Sequence, residues 1–159
     1  MKLLVMSDSH RNVGFMKYAV EQTRPEAVLH LGDHYGDACE LNRMFPEIEF
    51  QMVKGNCDFQ EGIDSELLLT YDNVKIFMAH GHQFGVKNGL DKFMGKARRK
   101  GAALALFGHT HNALLLEKQG IWIMNPGQME RNYNNSPSSY GVITINGGAI
   151  NCEIVRIVP

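Results

Sequence analysis

The sequence contains no long apolar run. Met1-Lys2 is followed by only four apolar residues before Ser7-Asp8, too few for a signal-peptide core. No stretch elsewhere approaches the ~20 residues that cross a bilayer, so no membrane partner is expected. Cysteine is scarce, at three residues, odd in number and widely spaced (Cys39, Cys57, Cys152). That excludes a disulfide framework and reads as reduced thiols of a cytoplasmic protein. Neither sign of charge predominates: 16 basic residues face 17 acidic ones, for a net charge of −1. This balance speaks against an extended nucleic-acid partner, and there is no polyacidic tail. Repeats, low-complexity tracts and linkers are also missing, so the 159 residues are expected to form a single domain, 1–159. A hydrophobic fraction of 44% with 21% charged residues leaves disorder and coiled coil behind. Homo-oligomer formation is left open.

Short apolar segments that end in polar clusters are abundant. Lys2–Met6, Ala27–Leu31 and Phe50–Val53 read as buried strands, separated by helices at Asn12–Thr23 and Asp37–Phe45. This β-α-β-α-β rhythm predicts parallel strands with crossover helices. Beyond residue 60, Leu67–Tyr71 and Val74–Ala79 predict a hairpin through Asp72-Asn73, and Gly89–Lys100 an amphipathic helix with basic residues mostly outside. Ala103–Phe107 reads as a further buried strand. Ala113–Lys118, Ile121–Met124, Tyr140–Ile145 and Ala149–Ile157 read as antiparallel strands. The class is α/β, with two sheets mixing parallel and antiparallel pairs and helices outside. Gly127–Ser139 is a polar, aperiodic connection longer than most, and so a candidate functional loop.

Five polar clusters directly follow predicted strands: Asp8-Ser9-His10, Gly32-Asp33, Gly55-Asn56-Cys57-Asp58, His80-Gly81-His82 and Gly108-His109-Thr110-His111. Ligands of open α/β sheets sit beyond the carboxyl ends of strands, so the five clusters can converge on one rim. The i, i+2 spacing of Asp8/His10 and of His109/His111 puts each pair on one side of extended backbone. Each cluster alone has an ordinary explanation: an aspartate after a strand is a cap, and GD or GN is turn chemistry. From them a set of two aspartates (Asp8, Asp33), one asparagine (Asn56) and four histidines (His10, His80, His109, His111) can be drawn. That donor set suits Mn²⁺, Fe²⁺, Ni²⁺, Co²⁺ or Zn²⁺ better than copper or an all-oxygen calcium cage. Seven ligands exceed the needs of one tetrahedral ion and serve two if a carboxylate bridges. The resulting positive site would attract an anion, a phosphodiester being the natural candidate.

The order of the clusters resembles the calcineurin-like metallophosphoesterase superfamily, whose signature runs DxH, GD, GN, H, GHxH. Gly55–Asp58, His80–His82, Gly108–His111 and Asn125-Pro126-Gly127 are most similar to its small prokaryotic phosphodiesterase branch. The resemblance implies a two-sheet β-sandwich flanked by helices in four αββα layers, with a dinuclear metal centre, manganese being the first expectation. By motif position Asp8, His10 and His111 would hold one ion, Asp33 would bridge, and Asn56, His80 and His109 would complete the second. It further implies hydrolysis of a small phosphoester by a metal-bridging hydroxide, with Asp33, Asn56, His82 and Arg131 as the catalytic candidates. A phosphomonoesterase or nuclease on the same scaffold is one alternative. A non-catalytic module like the retromer subunit that shares this fold is another. Three positions depart from the wider pattern. Cys57 stands where many phosphatases have histidine, Gly36 where an acid is common, and Gln128 where relatives usually have serine. Of the other candidates, His30 reads as a hydrogen-bonded core residue, His34 as a solvent-facing turn residue, and Asp58 as either a loop cap or an orienter of a metal-bound histidine.

Overall fold

The computed structural model describes residues 1–130 and 135–158. The first sheet is assembled from β1 (Lys2–Met6), β2 (Ala27–His30), β3 (Glu49–Met52), β9 (Ser139–Asn146) and β10 (Ala149–Arg156), in the order β10-β9-β1-β2-β3. Here β1, β2 and β3 run parallel, while β9 lies antiparallel to both β1 and β10. The second sheet has the order β4-β5-β6-β8-β7, from β4 (Glu66–Tyr71), β5 (Val74–Ala79), β6 (Leu104–Leu106), β7 (Leu114–Lys118) and β8 (Ile121–Asn125). Its central strands β5, β6 and β8 are parallel, and β4 and β7 are antiparallel edges. The antiparallel reading of the second half therefore holds for the hairpins, but β8 also pairs in parallel with β6.

Three helices cover the outer faces: α1 (Val13–Thr23), α2 (Tyr35–Met44) and α3 (Asp91–Arg99). The Asn12 side chain caps α1 by accepting the Phe15 N–H, and the helix ends at Arg24 in a left-handed cap whose N–H returns to Val20 O. Pro25 follows the stop rather than causing it. Helix α3 begins with Asp91 and ends with Lys96, Arg98 and Arg99, charges that oppose the macrodipole at each end.

Side-chain alternation along the strands sorts the core into layers. Leu3 and Val5 of β1 face the middle layer together with Ile76 and Met78 of β5. Leu4 and Met6 point the other way, onto Met16, Ala19 and Val20 of α1. Phe77 and Ala79 pack on Phe93, Met94 and Ala97 of α3. The result is the expected αββα sandwich. Each fully buried Leu, Ile or Met contributes about 1.5–3 kcal/mol of transfer free energy. No helix among the described residues is long and apolar enough to cross a membrane. Because β1, β2 and β3 are parallel, as are β5, β6 and β8, the chain leaves these strands toward one rim, where the polar clusters collect.

Candidate metal centre

Four side chains from three separate clusters meet at that rim. Asp8, His10, Asp33 and His111 each place one donor atom so that all four lie within 4.8 Å of one another. His80, Asn56 and His109 lie beside this group. His80 Nε2 is 3.5 Å from Asp33 Oδ2 and 3.9 Å from Asp8 Oδ1, and 3.0 Å from Asn56 Oδ1. The His109 ring centroid is 5.0 Å from that of His80. Asp33 thus stands between the two groups, touching both.

The backbone carries strain to achieve this. Asp8, His10, Asp33, His109 and His111 all have left-handed φ angles, between 42° and 68°. Such a conformation costs roughly 1–2 kcal/mol per L-residue, and clusters of it mark sites where geometry is over-determined. The i, i+2 pairs therefore do not lie on extended backbone. Asp8 and His10 do share one cluster, but through kinked rather than extended backbone, and His109 and His111 are divided between the two groups. The motif glycines supply close approach: a Cβ at Gly55 would run into the Asp33 carboxylate, and one at Gly108 into the Ser7 hydroxyl.

Buried hydrogen bonds aim the donors. Asp8 Oδ2 accepts from Ser7 Oγ (2.5 Å) and from the His109 N–H (3.1 Å). Its other oxygen faces the cluster, 3.2 Å from His111 Nε2. His80 Nδ1–H donates to the Leu31 carbonyl at 2.8 Å, which turns Nε2 toward carboxylate and amide oxygens. His30 is a core residue as expected. Its Nδ1 accepts the Gly32 N–H and its Nε2 pairs with Ser9 Oγ, both at 3.2 Å. Asp58 proves to be a brace: its carboxylate accepts the N–H groups of Asp33, Gly55 and Tyr35 at 2.8–2.9 Å. It orients no histidine. His34 is half-buried at the turn before α2 and packs its ring edgewise on His10, centroids 4.6 Å apart.

Electrostatics follow from this crowding. Burial opposes ionisation of Asp33, but the His80 imidazole and the Cys57 N–H hold its carboxyl well below the usual range. Burial likewise opposes ionisation of Asp8, and His111, His80 and Ser7 overcome it. Burial would lower His80, yet Asp33 and Asp8 raise it, while Asp8 is the main cause of the upward shift at His111. Burial, then the His80 charge, pushes His109 down to about 4. Both act in the same direction on His82.

The donor set fits divalent cations. Among the described residues, Asp8 Oδ1 and His10 Nε2 are buried without hydrogen-bond partners, and the Nε2 atoms of His80 and His111 lie 3.2–3.9 Å from carboxylate oxygens. Such an arrangement asks for positive charge between the atoms. His82 lies outside the ligand groups, its ring 5.4 Å from His80 and 6.0 Å from His109, and its buried Nδ1 also has no partner among the described residues. Cys57 is exposed, its own N–H on Asp33 Oδ1 at 2.9 Å. Arg131 lies outside the described residues. Sequence reasoning did not give a role to Gln128, which is fully buried with its carboxamide on His111. Its departure from the expected serine was the only signal.

Comparison with known proteins agrees with this geometry. Residues 1–148 match the model of the calcineurin-like phosphoesterase superfamily domain. A probable metallophosphoesterase of Bacillus subtilis, YsnB, is 35% identical over 150 residues, covering 94% of this chain and 87% of that protein. A phosphodiesterase of Methanocaldococcus jannaschii is 23% identical over 159 residues, covering 80% and 84%. Wild-type Vps29 of Entamoeba histolytica, solved with zinc, superimposes with a TM-score of 0.78 at 23% identity, covering 98% of this chain and 99% of Vps29. The chain belongs to the calcineurin-like phosphoesterase superfamily, a family of metal-using phosphoric ester hydrolases.

Proposed function

We propose that this protein is a phosphodiesterase that works with two divalent transition-metal ions on a small phosphoester. Asp8, His10 and His111 would hold the first ion, Asn56, His80 and His109 the second, and Asp33 both. The observation that carries the reading is the position of Asp33, one member of the four-donor cluster and 3.5 Å from His80 of the other group. When bound, two such ions supply Lewis acidity for the phosphoryl oxygens and lower the pKa of water, which zinc can take from 15.7 to about 7. Manganese is the first candidate by the family resemblance; the imidazole, carboxylate and amide donors equally suit Ni²⁺, Co²⁺, Fe²⁺ or Zn²⁺.

The chain's own residues define the rest. His82 would donate to a phosphoryl oxygen or to a departing alkoxide, a role supported by its unpartnered buried Nδ1 beside the second group. The reading requires no nucleophile from Cys57, whose thiol in the metal-free protein is pushed up by burial and then by the neighbouring Asp33 carboxylate. Arg131 is assigned to a phosphoryl oxygen by motif position only. The phosphodiesterase name of the archaeal relative supports diesters, and the absence of a basic excess supports small substrates in a cytoplasmic setting.

The deciding experiment crosses Mn²⁺, Ni²⁺, Co²⁺, Zn²⁺ and Mg²⁺ with aryl phosphodiesters and phosphomonoesters, alongside metal content after dialysis. Near two equivalents of metal and diester turnover are expected. Turnover of monoesters alone would favour the phosphatase reading. Less than one equivalent with no turnover would leave an interaction module.

A further inference from the structure

We propose that Gln128 is a positioning residue that fixes the tautomer of His111, so that a nitrogen lone pair and not an N–H faces Asp8 and Asp33. The inference deepens the metal-centre reading and rests on it only for its consequence, not for the hydrogen-bond logic.

The chain of constraint begins at a backbone carbonyl. Gln128 is fully buried, and its Nε2 lies 3.2 Å from the Ser136 oxygen. A carbonyl oxygen can only accept, so the NH₂ end of the carboxamide must be the end that faces it. The opposite end, Oε1, then lies 2.9 Å from His111 Nδ1. An amide oxygen also only accepts, so Nδ1 must carry the proton. In a neutral ring that leaves Nε2 unprotonated, and Nε2 is the atom 3.2 Å from Asp8 Oδ1 within the four-donor cluster. One carbonyl in the connection between β8 and β9 thereby dictates the state of a donor on a different loop.

Backbone anchors hold the relay in place. The Gln128 carbonyl accepts the Ser139 N–H at 2.9 Å, and the next residue, Met129, donates its N–H to Ser7 O at 3.2 Å. Gln128 is therefore fastened both to the start of β9 and to the residue preceding Asp8. A hydroxyl at position 128 would lack this direction, because it donates as readily as it accepts and rotates to suit. Only a side chain with separate donor and acceptor ends transmits polarity from Ser136 to His111.

The test compares wild type, Gln128→Met and Gln128→Glu. Methionine keeps the volume and removes the acceptor, whereas glutamate keeps an acceptor for Nδ1–H. Long-range ¹H–¹⁵N correlation spectra of the metal-free proteins, taken at alkaline pH where His111 is neutral, read the tautomer directly. The Nδ1–H form is expected in wild type and Gln128→Glu, and a mixture or the Nε2–H form in Gln128→Met. Calorimetric titration with Mn²⁺ should then show about 10–100-fold weaker binding at one site in Gln128→Met, and affinity within about threefold of wild type in Gln128→Glu. An Nε2–H form in wild type or in Gln128→Glu, or an unchanged tautomer in Gln128→Met, overturns the proposal. If Gln128→Met does not fold, the wild-type and Gln128→Glu spectra still decide it. A wild type with the Nδ1–H form that binds no Mn²⁺ would instead overturn the metal-centre reading.

Discussion

Asp8 Oδ2 accepts the main-chain N–H of His109 at 3.1 Å, although the two residues are 101 positions apart. The bond links the loop after β1, in one sheet, to the loop after β6, in the other. It satisfies one oxygen of the carboxylate and so commits the other, Oδ1, to the cluster with His10, Asp33 and His111. The site is thus stitched across the sandwich, and its donors are held by the same contacts that register the two sheets.

Asp33 is expected to be the most sensitive ligand. Asp33→Asn removes the charge that both donor groups share, while Asn56→Ala and His82→Ala each affect one group or none. Turnover of Asp33→Asn should fall by about 100-fold or more, about 2.7 kcal/mol in barrier, and by less in the other two. Metal titration should show weakened binding of both ions in Asp33→Asn alone. Two tight ions with near-native turnover in that variant would rule out the shared role.

Asp58 should matter to stability before it matters to chemistry. Its carboxylate collects three backbone N–H groups, from Asp33, Gly55 and Tyr35. Asp58→Ala strands these donors, at a cost of about 2–4 kcal/mol. For a chain of this length the melting midpoint of the metal-free protein should drop by roughly 5–15 °C. A shift under about 2 °C would show that water replaces the brace without loss.

His30 should give the metal-free protein an acid-sensitive segment of its stability curve. Burial pushes the His30 imidazole down to about 4, against about 6.5 in an unfolded chain. Between those values the unfolded chain binds a proton that the folded chain refuses, so stability falls as pH drops from about 6.5 toward 4. The full contribution is about 3 kcal/mol at the acid end. His109 shares the window, so the measurement is a difference. The slope of unfolding free energy against pH should be shallower in His30→Gln than in wild type, and parallel curves would refute the assignment.

The sandwich and the gathering of the candidate ligands at one rim were legible in the sequence for a common physical reason. Strand segments such as Leu3–Met6 and Ala27–Leu31 run within two residues into Asp8 and Asp33, and parallel strands deliver such ends to one rim. Long-range pairings left no local mark. Nothing near Asp58 shows that it will collect N–H groups from positions 33 and 35, nothing near His34 that it will pack on His10, and nothing near Gln128 that it will meet His111. The left-handed angles at Asp8, His10 and His111 were equally invisible, because tertiary contacts impose them against the intrinsic preference of those residues. The short 3₁₀ turns at His82–Phe84 and Val86–Asn88 belong to the same category.

Cys57 offers the last prediction, on the choice between diesters and monoesters. A monoester carries about two negative charges near neutral pH, and its alkoxide leaving group benefits from a proton donor. A histidine beside the motif asparagine could supply one, since its reference pKa of about 6.5 lies near working pH. The Cys57 thiol is a poor donor and its pKa is raised further, by burial and then by Asp33. Diesters with good leaving groups, such as aryl phosphodiesters, should therefore be preferred. Cys57 is exposed, and its tie to the ligand Asp33 runs through its main-chain N–H. The thiol also accepts from Asn56 Nδ2 at 3.6 Å, so the test requires that a longer side chain turn to solvent without displacing Asn56. Cys57→His should accordingly raise the ratio of monoester to diester turnover, while Cys57→Ala and Cys57→Ser leave it unchanged. The measurement is kcat/KM for matched aryl mono- and diesters in each variant at saturating Mn²⁺. A wild type that prefers the monoester by about tenfold, about 1.4 kcal/mol in barrier, would sink the idea and direct attention to His82 as the proton donor already in place.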